Sequence, residues 1–380
     1  MAKRKRQLRT GFTTGTAAAA ASKGALYLLL GEKAPPRVKI ALLTGDHLVI
    51  PIHTCIFEDK NRQNARCTVI KDAGDDPDVT HRAEIGARVM LLDEITEWSE
   101  YDPGDTGVII TGGQGVGTVT KPGLEILPGE PAINPGPRKM ITRAVQETLK
   151  AFNVNQKVKV QIFVPQGEVL AHKTLNPRLG ILGGISILGT TGIEKPMSHE
   201  AYIATVKSSL SVARAVGITK LVLTTGRRSE RYAQALWPGL PQESFIQIGD
   251  FFRMSLVEAA KIKFASTTLA VFFGKALKMA QGIPHTHAAK SSLTMHKLAE
   301  WSLALTGNSA FSEKVLSANT ARHAFEFILD EHPEIITHVG EHMLKSAKLF
   351  SGPGVKIHGI IFDYNGNVVF DAEAPSAKDD

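Results

Sequence analysis

The chain has only two cysteines in 380 residues, Cys55 and Cys67, and no CxxC spacing. A disulfide framework and a cysteine-based zinc site are therefore not expected, and a reducing cytoplasm fits. The two thiols either meet across a hairpin or serve as small core residues. Aromatic residues make up only 6%, and no basic run is interleaved with them. This argues against a stacking platform for single-stranded nucleic acid, and no nucleic-acid partner is expected. Uncharged segments of the roughly 18 residues needed to span a bilayer are also missing, so no membrane partner is expected. The basic start Met1–Arg6 followed by the Ala/Leu-rich stretch Thr16–Leu30 resembles a secretory signal. Lys23 and Gly24 interrupt its apolar part, and Gly31-Glu-Lys replaces a cleavage site. A soluble helix is the better reading.

What is present is an ordinary globular composition, 43% hydrophobic and 21% charged, with a net charge of +7. The excess of cations points to an anionic partner: nucleic acid, phosphate or a polycarboxylate. The length allows two domains. The first part reads as strand-rich. A helix over 15–30 is capped by Thr14 or Thr16 and ended by Gly31. Strands follow at Val38–Leu43, Leu48–Ile52, Cys67–Lys71, within Thr80–Leu92, at Gly107–Gly113 and at Val158–Val164, with a helix over Lys139–Phe152. The second part alternates. Helices fall at His199–Val216, Arg228–Leu236 and Met254–Lys263, and strands at Lys220–Thr224, Phe245–Ile248 and Leu269–Phe273. Each strand ends in glycine plus polar residues, where open α/β sheets place ligands. Helices at Ser291–Leu305 and Ser317–Glu331 lead to a closing strand pair, Val355–Phe362 and Val368–Phe370, around a Tyr364–Asn367 turn. The expected fold class is an α+β domain over residues 1–190 and an α/β domain over residues 191–370, with a frayed polar tail at 372–380.

Several motifs carry candidate chemistry. Gly180–Gly192 sets glycines and the threonines Thr190 and Thr191 after an apolar run. It is either a ligand-facing crossover or a compact turn. Gly112-Gly-Gln-Gly-Val-Gly117 follows a strand, but an extended, proline-broken segment comes next. It therefore reads as a hairpin, either touching a ligand through Gly113, Gln114 and Gly115 or purely structural, and not as a dinucleotide loop. Lys71–His81 holds clustered aspartates. It lacks calcium-loop spacing, and Asx turns account for several of them. His81 there is either an acid/base or a surface histidine. Asn134 and Arg138, in and at the end of a proline-rich loop, either hold a carboxylate or belong to a rigid connection into the next helix. Thr224–Glu230 puts Arg227 and Arg228 at a helix start, which makes either an anion pocket or a solvated turn. His285, His287 and Lys290 are a weak metal signal, and no metal is expected.

Taken in order, these motifs resemble one family. Thr10–Thr16, Asp72–Thr80, Gly112–Thr118, Pro131–Pro135, Leu175–Gly180, Gly184–Gly192 and Gly249–Phe251 are similar to the cobalt-precorrin-5B C1-methyltransferases of anaerobic cobalamin biosynthesis. The likeness runs from Leu8 to about Gly366. His81-Arg-Ala and Pro284–Lys290 depart from the family pattern. The resemblance implies a strand-rich α+β domain followed by a Rossmann-like three-layer α/β domain. It also implies S-adenosylmethionine as co-substrate and methylation of ring carbon C1 of cobalt-precorrin-5B to give cobalt-precorrin-6A. The partner is then a small anionic tetrapyrrole, which suits a basic protein. In-line methyl transfer needs positioning more than acid/base chemistry.

On this reading the cofactor residues are Thr190, Thr191, Gly192, Thr225, Gly226, Gly249 and Asp250. The substrate residues are Thr13, Thr14, Gly113, Gln114, Gly115, Asn134, Arg138, Asn176, Arg178, Arg227 and Arg228. His81 and Glu230 are candidate bases. Which loop takes which ligand stays open, as does a homodimer. A non-catalytic tetrapyrrole carrier is the alternative.

Overall fold

The structure is a computed structural model that describes residues 8–92, 106–287 and 291–375. Met1–Arg6, Lys290 and residues 376–380 of the tail lie outside the described residues. Sheets and helices are mixed throughout, and the chain divides into two compact units, Met1–His199 and Glu200–Asp380.

In chain order the first unit runs β1 (Gly11–Phe12), α1 (Thr14–Gly31), β2 (Arg37–Ala41), β3 (His47–Pro51), β4 (Thr54–Phe57), β5 (Asn64–Ile70), β6 (Glu84–Leu92), β7 (Val108–Gly112), β8 (Gly115–Val116), β9 (Thr118–Val119), α2 (Pro135–Ala151), β10 (Lys157–Phe163), α3 (Gly167–Ala171), β11 (Ile181–Leu182), β12 (Gly184–Ile185) and β13 (Ile193–Glu194). Its main sheet has the order β4-β5-β6-β10-β7. The pairs are antiparallel except β10 with β7. Cys55 and Cys67 stand opposite each other on β4 and β5 as free thiols.

Helix α1 packs on this sheet and against α2. Its alanines Ala17–Ala21 and Ala25 are wholly buried. Small side chains let a helix covered on all sides approach its neighbours closely. Thr13 caps it, its Oγ1 accepting the Thr16 amide at 3.2 Å; Thr14, an expected cap, is already inside the helix. Helix α2 starts at Pro135, four residues before the expected Lys139, because proline suits a helix's first turn, where no backbone donor is needed.

The second unit runs α4 (His199–Ala215), β14 (Lys220–Thr224), α5 (Arg227–Leu236), β15 (Phe245–Gln247), α6 (Phe252–Ile262), β16 (Ser266–Phe272), α7 (Phe273–Ala280), α8 (Ser291–Thr306), α9 (Ser309–Ser317), α10 (Ala321–Glu331), α11 (Glu334–Ser351), β17 (Lys356–Phe362) and β18 (Val368–Glu373). The sheet order is β15-β14-β16-β17-β18. All neighbours are parallel except β17 with β18. Alternate residues of β14 point to opposite faces. Leu221 and Leu223 join the large core with α4, α6, α7 and α11, while Val222 meets Ala233 of α5.

Two differences from the sequence reading stand out. The helix expected from Ser317 starts at Ala321, where Thr320 caps it by accepting the His323 amide at 3.1 Å, and a separate helix, α9, ends at Ser317. Helix α11 was not anticipated. Its apolar positions Ile335, Ile336, Val339, Met343, Leu344 and Ala347 are helically spaced and buried, but β-branched residues and Gly340 obscure them. The glycine is needed there: a Cβ on Gly340 would lie 2.4 Å from the Phe370 ring.

Candidate active site at the carboxyl edge of the parallel sheet

In the first unit, most of the candidate substrate residues are engaged in the fold itself. Thr14 Oγ1 accepts the Leu188 amide at 2.9 Å and donates to the Leu188 carbonyl at 3.2 Å. The Thr13 amide donates to Gly192 O at 3.1 Å, and Thr16 Oγ1 donates to the same oxygen at 2.7 Å. The Gly180–Gly192 stretch thus wraps the N-terminus of α1. A Cβ on Gly189 would lie 2.4 Å from Thr13 Oγ1, and one on Gly192 would lie 2.7 Å from Leu42. Thr190 is exposed, and Thr191 bonds its own turn at Ile193.

Asn176 is buried, donating to Gly184 O at 3.2 Å and accepting from Ser186 Oγ at 3.3 Å. Arg138 is buried as well. Its Nε donates to Ile133 O at 2.8 Å, and Nη2 lies 3.7 Å from Glu130. Asn134 begins α2 without capping it through its side chain. Arg178 is half-buried. Gly113 lines a cavity of about 340 Å³ with Thr111, Thr118 and Glu130. Gln114 is exposed, and Gly115 takes φ +72° where a Cβ would strike Val164 O.

The aspartate loop is also self-contained. Asp72 binds Arg9, which lowers its pKa to about 2. The Asp75 carboxylate accepts the Arg9 amide, and that of Asp76 the Met197 amide, both at 2.8 Å. His81 Nδ1 accepts the Ala73 amide at 3.1 Å. That ring nitrogen is therefore already engaged within its own loop. The residue that sequence reasoning missed here is Lys71, wholly buried between Asp78 and Glu194, the latter at 3.5 Å. Burial lifts the Glu194 pKa above its usual range despite Lys71.

The second unit brings together Thr225, Gly226, Glu230, Gly249 and Asp250. From β14 the chain crosses through α5 to β15 on one side, then returns through α6 to β16 on the other. This reversal opens a crevice at the carboxyl ends of β14 and β16, where such sheets hold ligands. Gly226 follows β14 in extended backbone, and a Cβ there would meet nothing within 4 Å. Glu230, in the first turn of α5, is buried and accepts from Gln247 Nε2 at 2.7 Å. Asp250, just past β15, binds Lys275 and accepts from Thr286 Oγ1 at 3.0 Å. Burial pushes its pKa up, but these two donors hold it below the usual value.

Tyr202 ties the two acids into one place. Its hydroxyl donates to Gln247 O at 3.3 Å, and its ring packs under Gly249 and stacks on Phe251. Burial first, then the Asp250 and Glu230 carboxylates, raise the phenol's pKa. Arg227 is exposed. Arg228 donates to the Tyr364 carbonyl, its guanidinium 5.2 Å from the Phe272 ring centre. Beside the crevice lies a cavity of about 760 Å³, lined by Phe272, Lys275, Lys278, Thr320, Arg322 and Tyr364 among others. Sequence reading noted Gly274-Lys275 only as a strand end. Nothing local could reveal that Arg322, far along the chain, returns to it. Among the described residues, no group of three or more His, Cys, Asp or Glu is placed to hold a metal ion, His285 and His287 included. No described helix is long and apolar enough to cross a membrane.

Comparison with known proteins agrees with the motif order. The CbiD family model matches residues 1–196, and the model for the CbiD C-terminal domain matches residues 285–373. A protein of Nitratidesulfovibrio vulgaris named cobalt-precorrin-5B C(1)-methyltransferase is 40% identical, covering 94% of this chain and 91% of its own. One of the same name from Desulfotalea psychrophila is 41% identical, covering 93% and 95%. A crystal structure of a cobalamin biosynthesis protein (cbiD) from Archaeoglobus fulgidus is 27% identical, covers 70% of this chain and 78% of that one, and has a TM-score of 0.38. With matches of this identity over nearly its whole length, the chain belongs to the CbiD family.

Proposed function

We infer that this protein is the methyltransferase its relatives are named for, methylating C1 of cobalt-precorrin-5B in cobalamin biosynthesis, and that its methyl donor is S-adenosylmethionine. The observation that carries the assignment of the donor site is that Gln247, which bonds both Glu230 and the Tyr202 hydroxyl, sits three residues before Asp250 and beside the open backbone of Gly226. The sheet that presents them is mostly parallel with helices on both faces, which supports a Rossmann-like reading of the second unit. The residues fit the donor. A sulfonium carries positive charge next to a ribose, and two carboxylates with an approachable glycine suit both.

When bound, the donor supplies an electrophilic methyl group, and the bond to sulfur breaks as the bond to the macrocycle carbon forms. The chain's own part is positioning. Thr225 and Gly226 let backbone approach, Asp250 offers its carboxylate toward a ribose hydroxyl, and Glu230 is held by Gln247 close to the positive charge. Glu230 is therefore assigned to orientation, and His81, bonded to its own loop, is assigned no proton transfer.

The test is incubation with methyl-labelled S-adenosylmethionine and cobalt-precorrin-5B. Label should enter the macrocycle; none entering while the protein stays folded overturns the reading. Gly226→Val separates the donor site from the fold. Its side chain would project into open space, so melting should stay near the parent's while affinity for S-adenosylhomocysteine falls about ten-fold or more.

A further inference from the structure

The cavity beside the donor crevice has a charge pattern that the donor does not explain. None of its lining residues is Asp or Glu, while Lys275, Lys278 and Arg322 all line it. Lys275 is neutralised by Asp250. Among the described residues the other two cations have no such ion pair. Lys278 Nζ donates to two carbonyl oxygens, Thr286 O at 3.1 Å and His287 O at 3.3 Å. Burial first, then the nearby Lys275 charge, lower its pKa, and Asp250 only partly opposes them. Among the described residues Arg322 has no carboxylate partner; its guanidinium sits 4.6 Å from the centre of the Tyr364 ring. The N-terminal turns of α7 and α10 border the same space, and the positive ends of the two helix dipoles add to its potential.

The walls narrow the class of anion. Phe272 and Tyr364 stack at 5.5 Å with 4° between their planes, and Met295 and Leu316 add apolar surface. A volume of about 760 Å³ is far more than an inorganic anion fills. An apolar wall with separated cations suits a large, partly apolar body that carries short acid arms.

We propose that this cavity is the subsite that receives one edge of the macrocycle, with Lys278 and Arg322 binding its carboxylate arms. The proposal rests on the methyltransferase reading for the identity of the macrocycle, but not for the chemistry of the site. Uroporphyrin, a stable octacarboxylate tetrapyrrole, serves as the probe, with binding followed by fluorescence on the full chain. Arg322→Ala removes an exposed side chain, and Lys278→Met keeps the apolar stem; melting curves check that both fold. Each should weaken uroporphyrin binding about ten-fold or more, as for a lost charged hydrogen bond, with S-adenosylhomocysteine affinity unchanged.

Unchanged uroporphyrin affinity in both folded variants overturns the proposal, whatever the methyl-transfer assay gives. Pyrophosphate competing at lower concentration than a tricarboxylate such as citrate also overturns it, since the cations would then serve a phosphate ligand. A parent protein that binds uroporphyrin through these residues yet transfers no methyl would leave the subsite standing and remove the methyltransferase reading.

Discussion

Lys71 shows how much of this molecule depends on single buried charges. Its side chain is 1% exposed and lies between Asp78 and Glu194. Replacing it with methionine would keep the volume but strand two acids with no cation. Breaking a buried pair from one side typically costs about 3–5 kcal/mol, so Lys71→Met should lower the urea midpoint markedly without changing the slope. The two acids answer pH in opposite senses. Asp78 is raised by burial but lowered further by Lys71 and Thr80, leaving it below its usual 3.8. Its contribution to stability is present above that value and is lost as pH falls through the folded one. Glu194 sits above its usual 4.5. Its folded state favours the protonated form, so stability declines as pH rises from the unfolded value through the folded one. Melting curves of Glu194→Gln against the parent should therefore show the variant gaining as pH rises above the usual glutamate value. Asp78→Asn should show a steady deficit above the usual aspartate value, one that shrinks as pH falls below it. A deficit of the same sign and pH course for both variants would mean that burial does not set Glu194 apart from Asp78.

At the scale of elements, glycine was the hardest residue to read from sequence, because the same letter does different work. Gly192 has φ +93° and would place a Cβ 2.7 Å from Leu42, whereas Gly226 is extended and faces open space. Gly192→Val should cost about 1–3 kcal/mol from overpacking and strain, seen as a lower melting temperature with per-molecule ligand affinity intact. A normal melting temperature with lost binding would return Gly180–Gly192 to the ligand-facing role. The strands and helices with clean periodicity were legible: β14, β15 and β16 fall within a residue or a few of their expected places. Missed elements had mixed signals. In α11, Ile-Ile-Thr and a mid-helix glycine look strand-like until Phe370 is seen packing on Gly340. The acids Glu230 and Asp250 were legible as strand-end polar residues. Their convergence on Tyr202 depends on the β14 crossover, which no local pattern encodes.

Over the whole molecule, the net charge of +7 suggested an anionic partner. The two ligands proposed for the second unit should feel that charge unequally. The arms of a polycarboxylate would meet Lys278 and an exposed Arg322, and so lose attraction as salt screens the approach; the Debye length falls from about 10 Å at 0.1 M to about 3 Å at 1 M. On the proposed reading the donor would meet Glu230 and Asp250, which are buried and half-buried and already held by Gln247, Lys275 and Thr286. Short contacts of that kind are screened far less. Raising salt from about 0.05 M to about 0.5 M should therefore weaken uroporphyrin binding by about ten-fold or more, with S-adenosylhomocysteine affinity changing by less than about two-fold. Calorimetric titrations of both ligands at the two salt levels decide it. A parallel loss for both would mean that the excess positive charge acts on the crevice as a whole. The division into an acid-lined donor edge and a basic macrocycle cavity would then fail.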